Sequence, residues 1–221
     1  MADARLPPPA GPAPANAPKL LSLKPTHLWR IHRARFRPTQ FHPGTGADAR
    51  FSPIHSATRG RKSIPTLYTA STLEGALMET VFHDVPTPPI DYILDLERLH
   101  ELELRVSVIR PKRELKLIDL STKGLQRLGL QRANLVDTPV ADYPATRLWA
   151  EWLHGIEPRA HGLLWTSRKD DDAKAMVLFG DRVDEKVFVV ERDREPLHES
   201  PYIDALLALA EHIGIKRVIS D

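Results

Sequence analysis

"LYTASTLEGALMET", Leu67–Thr80, is the stretch on which the reading of this chain turns. Its first residues belong to "PTLYTA" (65–70), which reads as a short strand. Ser71 is followed three residues later by Glu74, the spacing of a capping box, so a helix is expected to start there and run to about Phe82. On that helix Leu73, Ala76, Leu77 and Val81 form one apolar stripe, and Glu79 points away from it. Met78 and Phe82 share the side of Glu79, so the helix is apolar nearly all round and is expected to be buried on two faces. Gly75 and Ala76, four and three residues earlier, leave room beside the carboxylate. Burying an unpaired carboxylate is costly. Glu79 therefore either faces solvent or meets a ligand, and the helical wheel does not choose between the two.

Working outward, "THLWRIHR" (26–33) alternates as a first strand, and 35–53 is mostly loop, punctuated by Pro, Gly and Asp. "HSATRGRKS" (55–63) is a basic exposed loop. "IDYILDL" (90–96), "LELRVSVIRP" (102–111) and "LKLIDL" (115–120) read as strands. "STKGLQRLG" (121–129) reads as a short capped helix. "YPATRLWAEWLHG" (143–155) carries Pro at its start and Gly at its end, a helix signature. Strands follow at 161–167, 173–180 and 186–192. An amphipathic helix over 200–215 places Ile203, Leu206, Leu207, Ala210 and Ile213 on one face. Strands outnumber helices and do not alternate with them, which predicts an α+β fold with a mixed or antiparallel sheet.

Length and composition bound the rest. The chain of 221 residues, 42% hydrophobic and 27% charged, fits one globular domain. Its proline-rich start predicts a mobile tail over residues 1–22, followed by a single domain over 23–221. The net charge of +2 argues against a dedicated nucleic-acid binder. The alternative of a nucleic-acid module, built on Arg59, Arg61 and Lys62, lacks interleaved aromatics. The absence of cysteine excludes disulfides and thiolate metal sites. No apolar run is long enough to span a bilayer, and a cytoplasmic protein with no membrane contact is expected.

Most named chemistries lack their motif. There is no G-x-S-x-G and no H-E-x-x-H. "GTGADA" (44–49) mimics a dinucleotide turn but follows no strand and opens no helix. "KDDDAK" (169–174) reads as a solvated turn rather than a calcium loop. The ten histidines show no ligand spacing, and no metal is expected.

What remains is ordered along the chain: "LWRI", then "ADARFSP" with Arg50, then the Tyr68-to-Glu79 block, then "GLLWTS" ending in Ser167, then "AMVLFGDR". This series resembles the RES-domain family over about residues 27–192. The family is named for an Arg, a Glu and a Ser and occurs as the toxin of bacterial toxin–antitoxin pairs. The resemblance implies an ADP-ribosyltransferase-like fold of the diphtheria-toxin type, with sheets around a central NAD cleft. It implies NAD as substrate, with no further cofactor. Arg50, Tyr68, Glu79 and Ser167 would line the cleft, and Arg30 would be a second-tier member.

These side chains suit that chemistry. Breaking the nicotinamide–ribose bond develops positive charge on the sugar, which a carboxylate such as Glu79 stabilises. Arg50, supported by Arg30, offers fork geometry to the pyrophosphate. Tyr68 offers an aromatic face with a hydroxyl to spare, and Ser167 one hydrogen bond. The implied activity is NAD hydrolysis or phosphorolysis, with protein ADP-ribosylation as the alternative. The implied partner is a cognate antitoxin, in a complex that leaves room for a homo-oligomer of this chain.

Overall fold

The computed structural model describes residues 16–45, 48–56 and 60–219. The strands are β1 (Leu20–Leu23), β2 (Leu28–Arg33), β3 (Ile54–His55), β4 (Ser63–Ile64), β5 (Thr66–Ala70), β6 (Ile93–Asp95), β7 (Leu104–Pro111), β8 (Leu115–Asp119), β9 (Gly162–Thr166), β10 (Lys174–Phe179), β11 (Phe188–Pro196) and β12 (Arg217–Ile219). The helices are α1 (Leu73–Met78), α2 (Leu96–Glu101), α3 (Thr122–Arg127), α4 (Arg132–Leu135), α5 (Tyr143–Ile156) and α6 (Tyr202–His212).

Eight strands form one sheet in the order β1-β8-β9-β10-β5-β2-β7-β11. Within it only β8 and β9 run parallel. Their connection carries α3, α4 and α5, as a parallel crossover requires. The expected α+β class with a mixed sheet is therefore found. Two-stranded pairs, β12-β6 and β3-β4, stand apart from this main sheet, whose two halves meet at a narrow seam. Pairing of β2 with β5 reduces to Trp29↔Ala70, whereas β2 pairs with β7 along six residues.

Strand alternation sends side chains to two faces. On one face Leu163, Trp165, Val177 and Phe179 pack under α5 and α3. On the same face, beyond the seam, Ile31, Ala70 and Val106 pack under α1 and α6. The opposite face buries Leu28, Leu67, Ile109, Leu117, Met176 and Leu178. The seam thus lies between two helix-covered cores, and a gap between those cores opens over it.

Several boundaries differ from expectation. The tail expected to reach residue 22 gives way to β1, because Leu20–Leu23 pairs with Leu115–Ile118 and joins the sheet edge; residues 1–15 lie outside the described residues. "IDYILDL" is a strand only over β6, because Asp95 caps α2 by accepting from the Arg98 amide at 2.9 Å. The basic loop 55–63 is bounded by the β3–β4 pairing, and Arg59 lies outside the described residues. "KDDDAK" is a turn in which the Asp170 carboxylate accepts from the Asp172 and Ala173 amides.

Helix α1 begins one residue late and ends four early. Thr72, not Ser71, is its N-cap, accepting from the Gly75 amide at 3.0 Å, while Ser71 Oγ accepts from the Lys174 amide of β10. At the other end Thr80 Oγ1 donates to the Ala76 carbonyl at 2.6 Å, displacing the helical bond that would carry the helix on to Phe82. Glu79 is the C-cap. Gly75 does not make room for a ligand: a Cβ there would lie 2.4 Å from Ala173 Cβ, so its smallness lets α1 sit against the sheet.

One buried histidine sets a pH dependence. His32 Nδ1 donates to the Arg33 carbonyl at 3.0 Å, so Nε2 is the acceptor for Ser107 Oγ at 2.9 Å. Burial, with Arg30 and Arg194 nearby, pushes its pKa down to about 4. The unfolded histidine titrates near about 6.5. Between those values the unfolded chain binds a proton that the fold refuses. The stabilisation is therefore complete above the unfolded value and is lost as pH falls toward the folded one. In urea unfolding, the stability gap between wild type and His32→Gln is expected to narrow by about 3 kcal/mol from neutral pH to the low end of that window.

Candidate active site

The gap over the seam is a cavity of about 350 Å³, the size of a small-molecule site. Trp29 and Ile31 of β2, Tyr68, Thr69 and Ala70 of β5, and Trp165 and Ala175 of β9 and β10 form its floor. Asp48, Ala49 and Arg50 come from the loop before β3, Ala76 and Glu79 from α1, and Tyr143 from the start of α5. Thr80, His83 and Asp84 complete the rim.

Arg50 is held from three sides. Phe51, beside it, is fully buried and meets Trp165 edge-on with centroids 5.0 Å apart. The Arg50 carbonyl accepts from Thr146 Oγ1, and Nη1 donates to Thr138 Oγ1 at 2.6 Å and to the Thr138 carbonyl at 3.1 Å. The guanidinium lies 5.1 Å from the Tyr143 ring centroid, within cation–π range. Its Nη2 is buried and has no partner. Burial lowers its pKa from the usual value; the neighbouring Arg168 lowers it further, and Glu79 opposes both.

Glu79 stands at the end of α1, between Met78 and Phe82, which are buried in the core. Its Oε1 is buried without a hydrogen-bond partner. A buried carboxylate oxygen left unpaired costs free energy unless something outside the chain donates to it. The cavity therefore holds one orphaned acceptor, on Glu79, and one orphaned donor, on Arg50.

Tyr68 presents its ring to the cavity, but its hydroxyl is not spare. The Phe51 amide donates to it at 3.1 Å, and Ser52 also bonds it. Burial pushes the phenol up to about 12, so it stays neutral. Its hydroxyl therefore pins the Arg50 segment to β5. Tyr68→Phe leaves the buried Phe51 amide without an acceptor and is expected to lose about 1–3 kcal/mol in urea unfolding.

The other two candidates fall elsewhere. Arg30 lies on the opposite face of β2 from Trp29 and Ile31, and its Nη1 donates to the Arg37 and Pro38 carbonyls at 3.1 and 2.8 Å. It is a brace for the loop after β2, buried without touching the cavity, and its support for a pyrophosphate there is corrected on that ground. Ser167 is fully buried at the end of β9, and its Oγ accepts from the Lys169 amide at 3.1 Å. It shapes the turn carrying Arg168 and Lys169 and does not form part of the cavity wall.

Three wall residues escaped the sequence reading. Tyr143, at the start of α5, is buried, and its hydroxyl lies 3.2 Å from His83 Nε2. His83 Nδ1 lies 2.7 Å from Asp84 Oδ1. A carboxylate only accepts, so Nδ1 carries a proton, and Nε2 shares the second hydrogen bond with the phenol. Asp84, His83 and Tyr143 thus form a hydrogen-bonded chain along the rim. The signal available was the pair "HD" four residues beyond Glu79. Among the described residues no three or more His, Asp or Glu side chains converge as metal ligands.

The RES domain model matches residues 27–198, most of the chain, and the chain belongs to that family. Among solved structures, the fold is similar to a chain in the crystal structure of the M. tuberculosis MbcT–MbcA toxin–antitoxin complex. The match has a TM-score of 0.53 at 14% identity and covers 82% of this chain and 92% of that one. A comparison with curated proteins finds no significant match. No helix among the described residues is long and apolar enough to cross a membrane.

Proposed function

We propose that this chain is an NAD-degrading toxin that cleaves the nicotinamide–ribose bond, working in the cytoplasm against a cognate antitoxin, through an ADP-ribosyltransferase-like cleft. The observation that carries the reading is the pair of orphans in one cavity: an acceptor on Glu79 and a donor on Arg50, of opposite charge. A ligand with both a hydroxyl and an anionic group satisfies both, and a nucleotide ribose with its phosphate is such a ligand. The aromatic walls Trp29, Tyr68 and Trp165 suit the flat nicotinamide ring. Membership of the RES family and the likeness of fold to a chain from a toxin–antitoxin complex support the toxin and partner assignments.

In this reading the C1′–N bond breaks and its electron pair leaves with nicotinamide, neutralising the pyridinium. Positive charge develops on the ribose, where the Glu79 carboxylate stabilises it. An acceptor hydroxyl, of water or phosphate, adds to C1′ and releases a proton. His83, hydrogen-bonded to Asp84 and Tyr143, stands on the rim where such a proton could be taken up. NAD is the substrate, and no further cofactor takes part.

The test is incubation of the purified protein with NAD labelled in its adenylate half. Free nicotinamide with label in a small molecule supports the reading. Label on a protein band points instead to ADP-ribosylation, and intact NAD overturns both.

A further inference from the structure

Beside the main cavity lies a second one of about 380 Å³, lined by Thr87, Arg132, Asp137, Arg168, Lys169 and Asp171. Its charges are unevenly matched. Arg132 is neutralised by Asp137 through two bonds of 2.8 and 3.0 Å, and Asp171 is exposed. Arg168 has no carboxylate partner among the described residues. Its Nη1 donates to the Thr138 carbonyl at 3.2 Å, and its Nε is buried without a partner. Lys169 spends one donor on the Val85 carbonyl at 3.0 Å. Its pKa is lowered by burial first and Arg168 second.

Two features join this pocket to the main one. Arg168 and Arg50 grip the same Thr138 carbonyl oxygen. Lys169 is near enough to feel the charges of Glu79 and Asp84, both on the main cavity wall. Three cations, Arg50, Arg168 and Lys169, are thus crowded at a boundary with two buried N–H donors unspent. Like charges this close oppose one another unless an anion lies among them.

We infer that Arg168 and Lys169 form a subsite for a phosphate-class oxyanion at the boundary of the main cavity, with Arg50 shared between the two. The oxyanion has two sources: the pyrophosphate of a bound dinucleotide, or free inorganic phosphate serving as acceptor. The inference rests on the proposed NAD reading for its biological meaning, and its test is independent of turnover.

In the Glu79→Gln protein, in which NAD turnover is expected to be strongly slowed, calorimetry would measure binding of NAD, nicotinamide riboside and inorganic phosphate. Arg168→Gln and Lys169→Gln would then each be added. Loss of a charge-assisted hydrogen bond is expected to weaken the relevant ligand about tenfold or more. Weaker NAD with unchanged nicotinamide riboside assigns the subsite to the pyrophosphate. Weaker phosphate with unchanged NAD assigns it to free phosphate. Unchanged affinities, equal weakening of all three probes, or no binding of NAD or phosphate overturns the subsite. If wild type leaves NAD intact while these variants still weaken phosphate, the subsite stands and the proposed reaction falls.

Discussion

Glu79→Gln is expected to lower NAD turnover by about 10²–10³-fold or more, the scale of losing a preorganised charge at a reacting centre. The substitution keeps shape, removes the negative charge and turns one acceptor oxygen into a donor amide, so in the proposed reaction nothing negative faces the developing cation. The C-cap geometry of α1 depends on the backbone of residue 79, whose amide donates to the Gly75 carbonyl at 3.0 Å, and not on its side chain. Melting temperature should therefore change little. Nicotinamide release measured beside a thermal melt checks both halves, and full turnover in a folded variant would remove Glu79 from the chemistry. The equivalent change at Glu74, the acidic residue in the first turn of the same helix, should leave turnover alone.

Phe51→Ala is expected to have the largest effect on stability, about 3–5 kcal/mol. Phe51 is fully buried, meets Trp165 edge-on and packs with Phe179 and the α5 side chains in one core. Arg50 hangs from the same segment, so the lost anchor should reach the cavity as well as the core. Urea unfolding gives the stability change, and NAD affinity gives the second. A variant that loses stability yet binds NAD as tightly as wild type would show that Thr138 and Thr146 alone position Arg50.

The sequence carried β2, β5, β7 to β11 and α5 because their signals are local: alternating Leu and Val in β7, and Pro144 at the start of α5; the short strands β1, β3, β4 and β12 carry no such signal and were missed. It placed Arg50, Tyr68, Glu79 and Ser167 in one group through the family resemblance, and the structure puts the first three around one cavity and Ser167 outside its wall. It erred where the outcome depends on which face of a strand a residue occupies. With Trp29 and Ile31 facing the cavity, strand alternation sends Arg30 away from it. It erred again where a side chain competes with the backbone: Thr80 ends α1 early, and no helical wheel anticipates that. Tyr143, His83 and Asp84 were missed because only tertiary packing brings α5 against the segment after α1.

The Thr138 carbonyl is a common anchor for two cations that belong to different pockets. Arg50 and Arg168 are therefore energetically coupled through one backbone oxygen, and their substitutions should not be additive in a double-mutant cycle. A shift of the short segment before α5, whether from a mutation or from a protein docked there, would move both guanidinium groups together. That segment would then adjust the electrostatic potential of the cavity without touching whatever is bound inside it.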